Sequence, residues 1–447
     1  MEKTKMSGQK MDMLHGPIWN KIIQYAIPVA ATGILEQLFN ASDIAVVGNF
    51  TGEAKTVAVA AVGANSPIVG LILNLFIGIA LGANVVIANA VGKKDEDTIH
   101  KAVHTSVIMS VIGGLLVMAL GEALIPYLLQ MLNVPQDVFP YALLYIRIYL
   151  LGMPVILLYN FEAAIFRSVG ETKTPLKALA VSGVLNVLLN LFFVIVLKMT
   201  VNGVAVATVI SNTISSMILF FKLLRTDSVI RIQISSLKFH KDVFMKIMRI
   251  GLPAGIQSAV FAVANIVIQA AINSLGTVVI AASSAAFNIE IFVYDILNAF
   301  SQACTTFTGQ NYGAGDFKRC KKVLALCIAE DAVAVAASVT LVLLLGKNLL
   351  AIFNNDSQVV EIGYIRLLMI FSAYAFSMLY ENMSGYLRGF GISFVPAILT
   401  IIGVCGTRIL WICTVFPTHR TFSAIMAAYP VSLSITAVLI FIALMVY

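Results

Sequence analysis

Charge is scarce in this sequence. Only 11% of the 447 residues are Asp, Glu, Lys or Arg, where a soluble domain carries about a quarter. A chain this poor in charge cannot dress a water-facing surface, which excludes an ordinary soluble protein. Cysteine is nearly as rare: Cys304, Cys320, Cys327, Cys405 and Cys413 form no CxxC pair. That spacing excludes a disulfide framework and a zinc knuckle, and leaves free packing thiols. Five histidines are too few for most His-based chemistry. No HExxH, no DDxxD-like pair and no Ser/His/Asp set falls within the apolar runs, so an embedded enzyme is disfavoured. The net charge of +7 is spread over many short segments with no basic, aromatic-interleaved patch, which argues against nucleic acid. No TVGYG-like filter loop points to a channel.

Apolar sequence fills the space instead. The chain is 60% hydrophobic, with a mean hydropathy of +0.94. A bilayer span needs about 20 apolar residues, and the hydropathy pattern predicts twelve spans. They run 22–47, 57–90, 99–120, 138–159, 176–197 and 204–224, then 245–273, 278–308, 323–345, 359–380, 394–415 and 422–445. The second and eighth are longer than a bilayer requires and carry small-residue breaks near the end, so they are expected to be tilted or interrupted. The polar, basic N-terminus precedes a run too long for a signal peptide and reads as an uncleaved first span.

Basic residues orient the spans. With the N-terminus inside, only Lys55, Lys198, Lys347 and Arg420 of the 29 Lys and Arg fall on outer segments. Arg147, Arg366 and Arg408 fall inside spans, and the rest, Lys3, Lys5 and Lys10 included, lie on inner segments. This positive-inside pattern predicts a plasma-membrane protein with both termini cytoplasmic.

The chain also repeats itself. Pro28 in IIQYAIPVAA aligns with Pro253 in IMRIGLPAGI, and Asn40 aligns with Asn265, both 225 residues on. AVGKKD (90–95) resembles NYGAGD (311–316), and Arg167, Gly170 and Pro175 align with Arg388, Gly391 and Pro396, at an offset of 221. The YIR at 145–147 recurs at 364–366. One repeat covers six spans and keeps its membrane side, so it is a parallel repeat. The domain reading is an N-terminal lobe (1–225), a cytoplasmic linker (226–242) and a C-terminal lobe (243–447). Two six-helix lobes about a central cavity suit a monomeric secondary transporter working by alternating access.

One stretch in the first span breaks the apolar rule. In Ile27–Asn49, Glu36, Asn40 and Asp43 are spaced i, i+4, i+7 and share a helix face, one turn or more beyond Pro28, where a helix would bend. Ionisable residues in a span are costly and usually functional. Ser182, Asn186 and Asn190 form a stripe on the fifth span, and Thr208, Ser211, Asn212 and Ser215 another on the sixth. With Asp43 these offer carboxylate, amide and hydroxyl oxygens, the donor set of a weak site for a hard cation such as Na⁺. A single buried carboxylate would equally serve H⁺. Beyond such a coupling ion no metal is expected. Asp97, His100 and His104 have ligand-like spacing but read as a solvated helix start.

In the second half Gln257, Asn265, Glu290 and Glu381 fall within or beside spans and, with Glu36 and Asn40, are the candidate substrate-cavity residues. Arg408 needs a carboxylate partner, and Glu290 or Glu381 is expected to supply it. Arg147 and Arg366 recur in both repeats and read as lobe-stabilising ion pairs.

The Asp43–Gly48 element D-x-x-x-V-G, the first-span Pro28, the loop R-x-x-G-x-T-x-T-P (Arg167–Pro175) and the six-plus-six repeat together resemble the multidrug and toxic compound extrusion (MATE) family. The repeated R-G-F-G (388–391) and Arg408 resemble its bacterial multidrug-efflux branch. The resemblance spans nearly the whole chain. It implies twelve helices in two lobes, with organic, often cationic, small molecules exported against inward Na⁺ or H⁺ and no cofactor. It places a cation site on Asp43, Asn186, Asn190 and Thr208, with a departure at Asn190, where many relatives carry Asp. A lipid-linked precursor flippase of the same superfamily is the alternative. That reading calls for a basic cavity, whereas the first-half stripe here is acidic.

Overall fold

The computed structural model describes all residues except 1–10, 53–54 and 133. Lys3, Lys5 and Lys10 lie outside the described residues. Among the described residues the fold is all helix, with no strand. The helices of the first half are α1 (Trp19–Phe50), α2 (Lys55–Lys93), α3 (Glu96–Met131), α4 (Phe139–Leu151), α5 (Met153–Ser168), α6 (Lys173–Leu191) and α7 (Val201–Arg225). Those of the second are α8 (Lys241–Asn273), α9 (Thr277–Gly313), α10 (Phe317–Phe353), α11 (Ser357–Phe371), α12 (Tyr374–Gly389), α13 (Phe394–Thr400), α14 (Thr407–Thr414), α15 (Phe422–Met426) and α16 (Ala428–Val446). Among the described residues ten helical stretches are long and apolar enough to cross a membrane, and two bent pairs, each counted as one span, bring the number to twelve.

The two longest spans are not interrupted. α2 and α9 are each unbroken. The breaks lie in the fourth and tenth spans, where α4 and α5 meet at 52° and α11 and α12 at 47°. Pro154 sits in the first turn of α5, where its missing N–H costs nothing. The bend also lets α3 and α5 touch: a Cβ on Gly114 would overlap the Pro154 backbone. An α2 of 39 residues is about 58 Å long at 1.5 Å per residue, so it overruns the hydrocarbon layer instead of breaking inside it.

The residues divide into two compact units. The first holds Ala31–Met248 and the second holds Met13–Ala30 with Arg249–Tyr447. α1 continues through Pro28 as one helix, and its residues change unit at Ala30. The core of the first unit gathers Val47, Ala61, Leu129, Ile146, Leu150 and Val204. That of the second gathers Ile272, Leu297, Leu350, Ile370 and Ile425. Leu116, Leu120, Leu188, Leu344, Ile352 and Met445 are exposed, as lipid-facing side chains are.

Helix contacts use small residues and buried amides, the usual adhesive where apolar surface gives no drive to associate. Asn65 donates to the Ala142 carbonyl (2.9 Å), tying α2 to α4. Gly385 and Gly389 lie four apart on α12 and press on α9, where a Cβ would meet the carbonyls of Ser301 and Thr305 at 2.6 and 2.9 Å.

The repeat is visible in the local geometry. Asp95 caps α3 by accepting from the Thr98 N–H (3.0 Å), and Asp316, 221 residues on, caps α10 by accepting from the Arg319 N–H (2.9 Å). Each is preceded by a left-handed residue, Lys94 (φ 57°) and Gly315 (φ 77°). Gly170 and Gly391 are left-handed twins as well, at φ 82° and 83°. The offset grows from 219 at YIR to 221 beyond the bend, and one of these two residues lies in the break itself, which takes one residue in the first half (Gly152) but two in the second (Ser372 and Ala373). The Thr98 hydroxyl and N–H together hold the Asp95 carboxyl below the usual carboxylate range.

Between α7 and α8 the chain folds back on α3. The Gln233 N–H donates to Nε2 of buried His104 (3.0 Å), and the His240 N–H donates to the Thr105 hydroxyl (3.2 Å). Asp97 meanwhile pairs with Lys101. His104 thus spends its Nε2 lone pair on a backbone donor and is not free to ligate.

Candidate functional site

Asp43 is the centre of a polar cluster inside the first unit. It lies seven residues before the end of α1 at Phe50, yet it is only 6% exposed. Its burial follows from its place on the helix. Val46 and Val47 pack into the core beside it, while Glu36 and Asn40, on the same nominal stripe, are exposed. Phe39 lies against α6, where Gly183 leaves room that a Cβ would fill. This close approach brings Asp43 to the polar face of α6.

The four residues assigned to a cation site are in mutual contact. Asn190 Nδ2 donates to Asp43 Oδ1 (2.6 Å) and to Asn186 Oδ1 (3.1 Å). The Thr208 hydroxyl stands 3.1 Å from Asp43 Oδ2 and 2.9 Å from the Val204 carbonyl, and Asn186 Nδ2 stands 3.4 Å from the same hydroxyl. One hydroxyl proton cannot serve both acceptors at once. Asn190 Oδ1 is buried with no donor. The oxygens of the cluster are those of one carboxylate, one hydroxyl and two amide carbonyls, of which the Asn190 carbonyl is orphaned. Such a set fits a hard cation or a proton and has nothing to offer a soft metal. A π-helical turn, Phe192–Val196, begins two residues after Asn190, an irregularity common beside functional sites.

The remaining polar residues of these stripes do not join the cluster. Ser182 donates to Leu179, Ser211 to Ala207, Ser215 to the Asn212 carbonyl, and Asn212 to the Thr208 carbonyl, all within their own helices. Glu36 is the exposed acid of α1.

In the second unit the polar residues are committed to one another. Glu290 pairs with Arg366 (2.9 Å), whose Nη1 also donates to Ser283 (2.7 Å). Gln257 accepts from Arg388 Nη2 (2.9 Å). Glu381 is buried and accepts from the Tyr294 hydroxyl (3.4 Å). Asn265 accepts from Arg408 Nη1 (3.3 Å). The carboxylate expected beside Arg408 is not there. Glu290 serves Arg366 instead, and Arg408 lies over the Tyr429 ring, 4.1 Å from its centroid. Arg147, the twin of Arg366, pairs with Glu122 (3.3 Å).

Glu162 and Asn382 are among the buried groups that escaped the sequence reading. Glu162 is fully buried and accepts from the Ser216 hydroxyl (3.0 Å), joining α5 to α7. Asn382, fully buried, donates to Asp331 Oδ2 (2.6 Å), joining α12 to α10. The predicted fourth and tenth spans stopped at Tyr159 and Tyr380, where hydropathy falls. The helices continue to Ser168 and Gly389, so these residues lie on helices that the boundaries cut short.

Buried carboxylates set among amides and hydroxyls, on helices long enough to cross a bilayer, mark a multi-pass membrane protein whose polar interior is functional. A family model described as MatE matches residues 28–192 and 253–414, one stretch in each repeat. The chain belongs to this MatE family of multidrug efflux transporters. It is 24% identical over 402 residues to "Probable multidrug resistance protein YoeA" of Bacillus subtilis, covering 88% of this chain and 86% of that protein. It is 24% identical over 400 residues to "Probable multidrug resistance protein NorM" of Thermotoga maritima, covering 88% and 84%. A solved structure of an outward-facing multidrug resistance MATE family transporter shares the fold with a TM-score of 0.90 at 21% identity, over 100% of this chain and 98% of that one.

Proposed function

We propose that this chain is a cation-coupled antiporter that exports organic, often cationic, drugs or metabolites by alternating access, driven by inward Na⁺ or H⁺. The observation that carries the reading is the Asp43 cluster: one buried carboxylate, with Asn186, Asn190 and Thr208 around it and the Asn190 carbonyl lacking a donor. A cation entering there would take the orphaned oxygen and the carboxylate together. Export follows if the ion and the substrate favour different conformations, because a ligand shifts such an equilibrium only through unequal affinity for the two states. Glu36 and Asn40, exposed on the same helix, are the proposed contacts for cationic substrate in the first lobe (1–225). Gln257, Asn265, Glu290 and Glu381 are the proposed polar contacts in the second (243–447). The inward-facing basic segments support cytoplasmic termini in the plasma membrane.

Purified protein in lipid vesicles, loaded with a cationic dye, separates the two ions. Dye movement under an imposed Na⁺ gradient at constant pH assigns Na⁺, and movement under a pH gradient without Na⁺ assigns H⁺. Dye movement that is indifferent to both gradients rejects cation coupling.

A further inference from the structure

His104 is a buried imidazole that the Asp43 cluster does not use. It is fully buried, although the start of α3 reads as solvated in the sequence. His100 lies one turn before it on the same helix face, and the two rings meet edge to face with 3.9 Å between centroids. The cover over His104 comes from the chain between α7 and α8. Ile230 and Ile232 are buried, and the Ile232 N–H donates back to the Leu223 carbonyl of α7 (3.0 Å). Beyond that anchor the chain is pinned to α3 at two points. The Gln233 N–H donates to His104 Nε2 (3.0 Å), and the His240 N–H donates to the Thr105 hydroxyl (3.2 Å). Every side chain from Gln233 to Phe239 is exposed, so apolar burial does little to hold this stretch and the two pins matter more.

The Gln233 bond fixes the ionisation state of the ring. A nitrogen that accepts from an N–H carries no proton, so His104 is neutral, with its one hydrogen on Nδ1. Nδ1 is buried and has no hydrogen-bond partner. A proton added at Nε2 removes the acceptor and sets one N–H against another. It also puts a charge in a buried place beside another histidine. The groups that act on His104 are His100 and His240, both basic. At the start of α3, Asp95, Glu96 and Asp97 are exposed, with Asp95 committed to the cap and Asp97 to Lys101. Asp242 of α8 acts on Lys101 as well. Asp227, Arg231, Lys238 and Lys241 on the connecting chain are exposed. Of the helices packed against α3, α2 brings exposed Lys93 to this end. α5 brings Arg167 and Glu162, which accepts from Ser216, and α4 brings Arg147, paired with Glu122.

We infer that His104 is a proton-operated latch on the connector between the two repeats. Neutral, it holds the 233–240 stretch against α3; protonated, it lets that stretch go. The pinned form takes up no proton at Nε2, while the released ring titrates as an ordinary histidine, near about 6.5. Pinning is therefore complete above about pH 6.5 and is lost as pH falls, with the released-to-pinned ratio rising up to about tenfold per pH unit. Ile230 and Ile232 keep their burial, so release is confined to the chain after them. The positive-inside reading puts this end of α3 in the cytoplasm, and the pH sensed is then the cytoplasmic one. The latch does not depend on the exporter reading.

Full-length protein in lipid nanodiscs, where both faces meet one pH, tests the latch without any transport. A nitroxide is attached at Ser235→Cys, in a Cys413→Ser background that removes the exposed thiol. Electron paramagnetic resonance then reads the mobility of the stretch from about pH 8 to about pH 5. With His104 present, the label is expected to be restrained at the upper end, with a mobile fraction that grows below about pH 6.5. His104→Gln offers a carbonyl to the Gln233 N–H and does not titrate, so its label should stay restrained throughout. His104→Leu offers no acceptor and should be mobile throughout. His100→Gln and His240→Gln should keep the transition. A label whose mobility ignores pH with His104 present overturns the latch. So does a transition that persists in His104→Gln, or one that vanishes in His100→Gln or His240→Gln with His104 intact.

Discussion

Replacing Asp43 by Asn removes one charge and almost no volume, and the hydrogen-bond geometry indicates that the helix packing survives it. The new amide can point its oxygen at Asn190 Nδ2, preserving the 2.6 Å contact. Its NH₂ then faces the Thr208 hydroxyl, which can turn its proton to the Val204 carbonyl at 2.9 Å and accept instead. Two hydrogen bonds to a charged group become neutral ones, a loss of about 1 kcal/mol each. The coupling ion loses much more. A unit charge 4 Å from a carboxylate gains about 4 kcal/mol at an effective dielectric near 20, and each 1.4 kcal/mol is about tenfold. Cation affinity should therefore drop by about three decades while the protein still reaches the membrane. The assay is gradient-driven dye efflux from vesicles, with accumulation in cells lacking other pumps as a check and membrane-protein abundance as the control. Undiminished efflux by Asp43→Asn would refute the coupling role.

Arg366→Gln strands the partly buried Glu290 carboxylate, 14% exposed, and should cost up to about 3 kcal/mol, read as a lower melting temperature, while Arg366→Gln with Glu290→Gln recovers most of it. Gly389→Ala puts a methyl 2.9 Å from the Thr305 carbonyl and should destabilise by about 1–3 kcal/mol, seen by thermal unfolding in detergent. Lys94→Gly relieves a left-handed lysine and should leave stability unchanged or raise it by up to about 1 kcal/mol; a clear loss would mean that the Lys94 side chain matters. Asp95→Ala removes the α3 cap and should cost about 0.5–2 kcal/mol near neutral pH. The Asp95 carboxyl is held low by Thr98, so its contribution is complete above the unfolded value near 3.9 and fades as pH falls through the lower folded value. The gap between wild type and Asp95→Ala should close only in strong acid.

Much of the architecture was legible because the bilayer imposes it: length and apolarity fixed where spans lie, and duplication fixed their pairing. Bends were not legible, since a long apolar run records how far a helix extends, not where it turns. The fourth and tenth spans turn at Gly152 and at Ser372–Ala373, within runs of ordinary length. Hydropathy also hid Glu162 and Asn382, because a buried polar residue near a helix end looks like a loop. The contact of Asp43 with Asn186, Asn190 and Thr208 followed from the family resemblance and from period on each helix. The partner of Arg408 did not, because charge alone demanded a carboxylate, and aromatic faces answer part of that demand without appearing in a charge count.

The left-handed twins carry a practical consequence. Lys94 and Gly315, and Gly170 and Gly391, hold the same backbone shape 221 residues apart, although the sequences around them have drifted. Each half is thus an internal reference for the other. A substitution whose effect is explained by backbone shape should give the same result at both copies. One whose effect depends on local charge or cargo should give a result in only one, and the difference would sort scaffold from specialisation within a single chain.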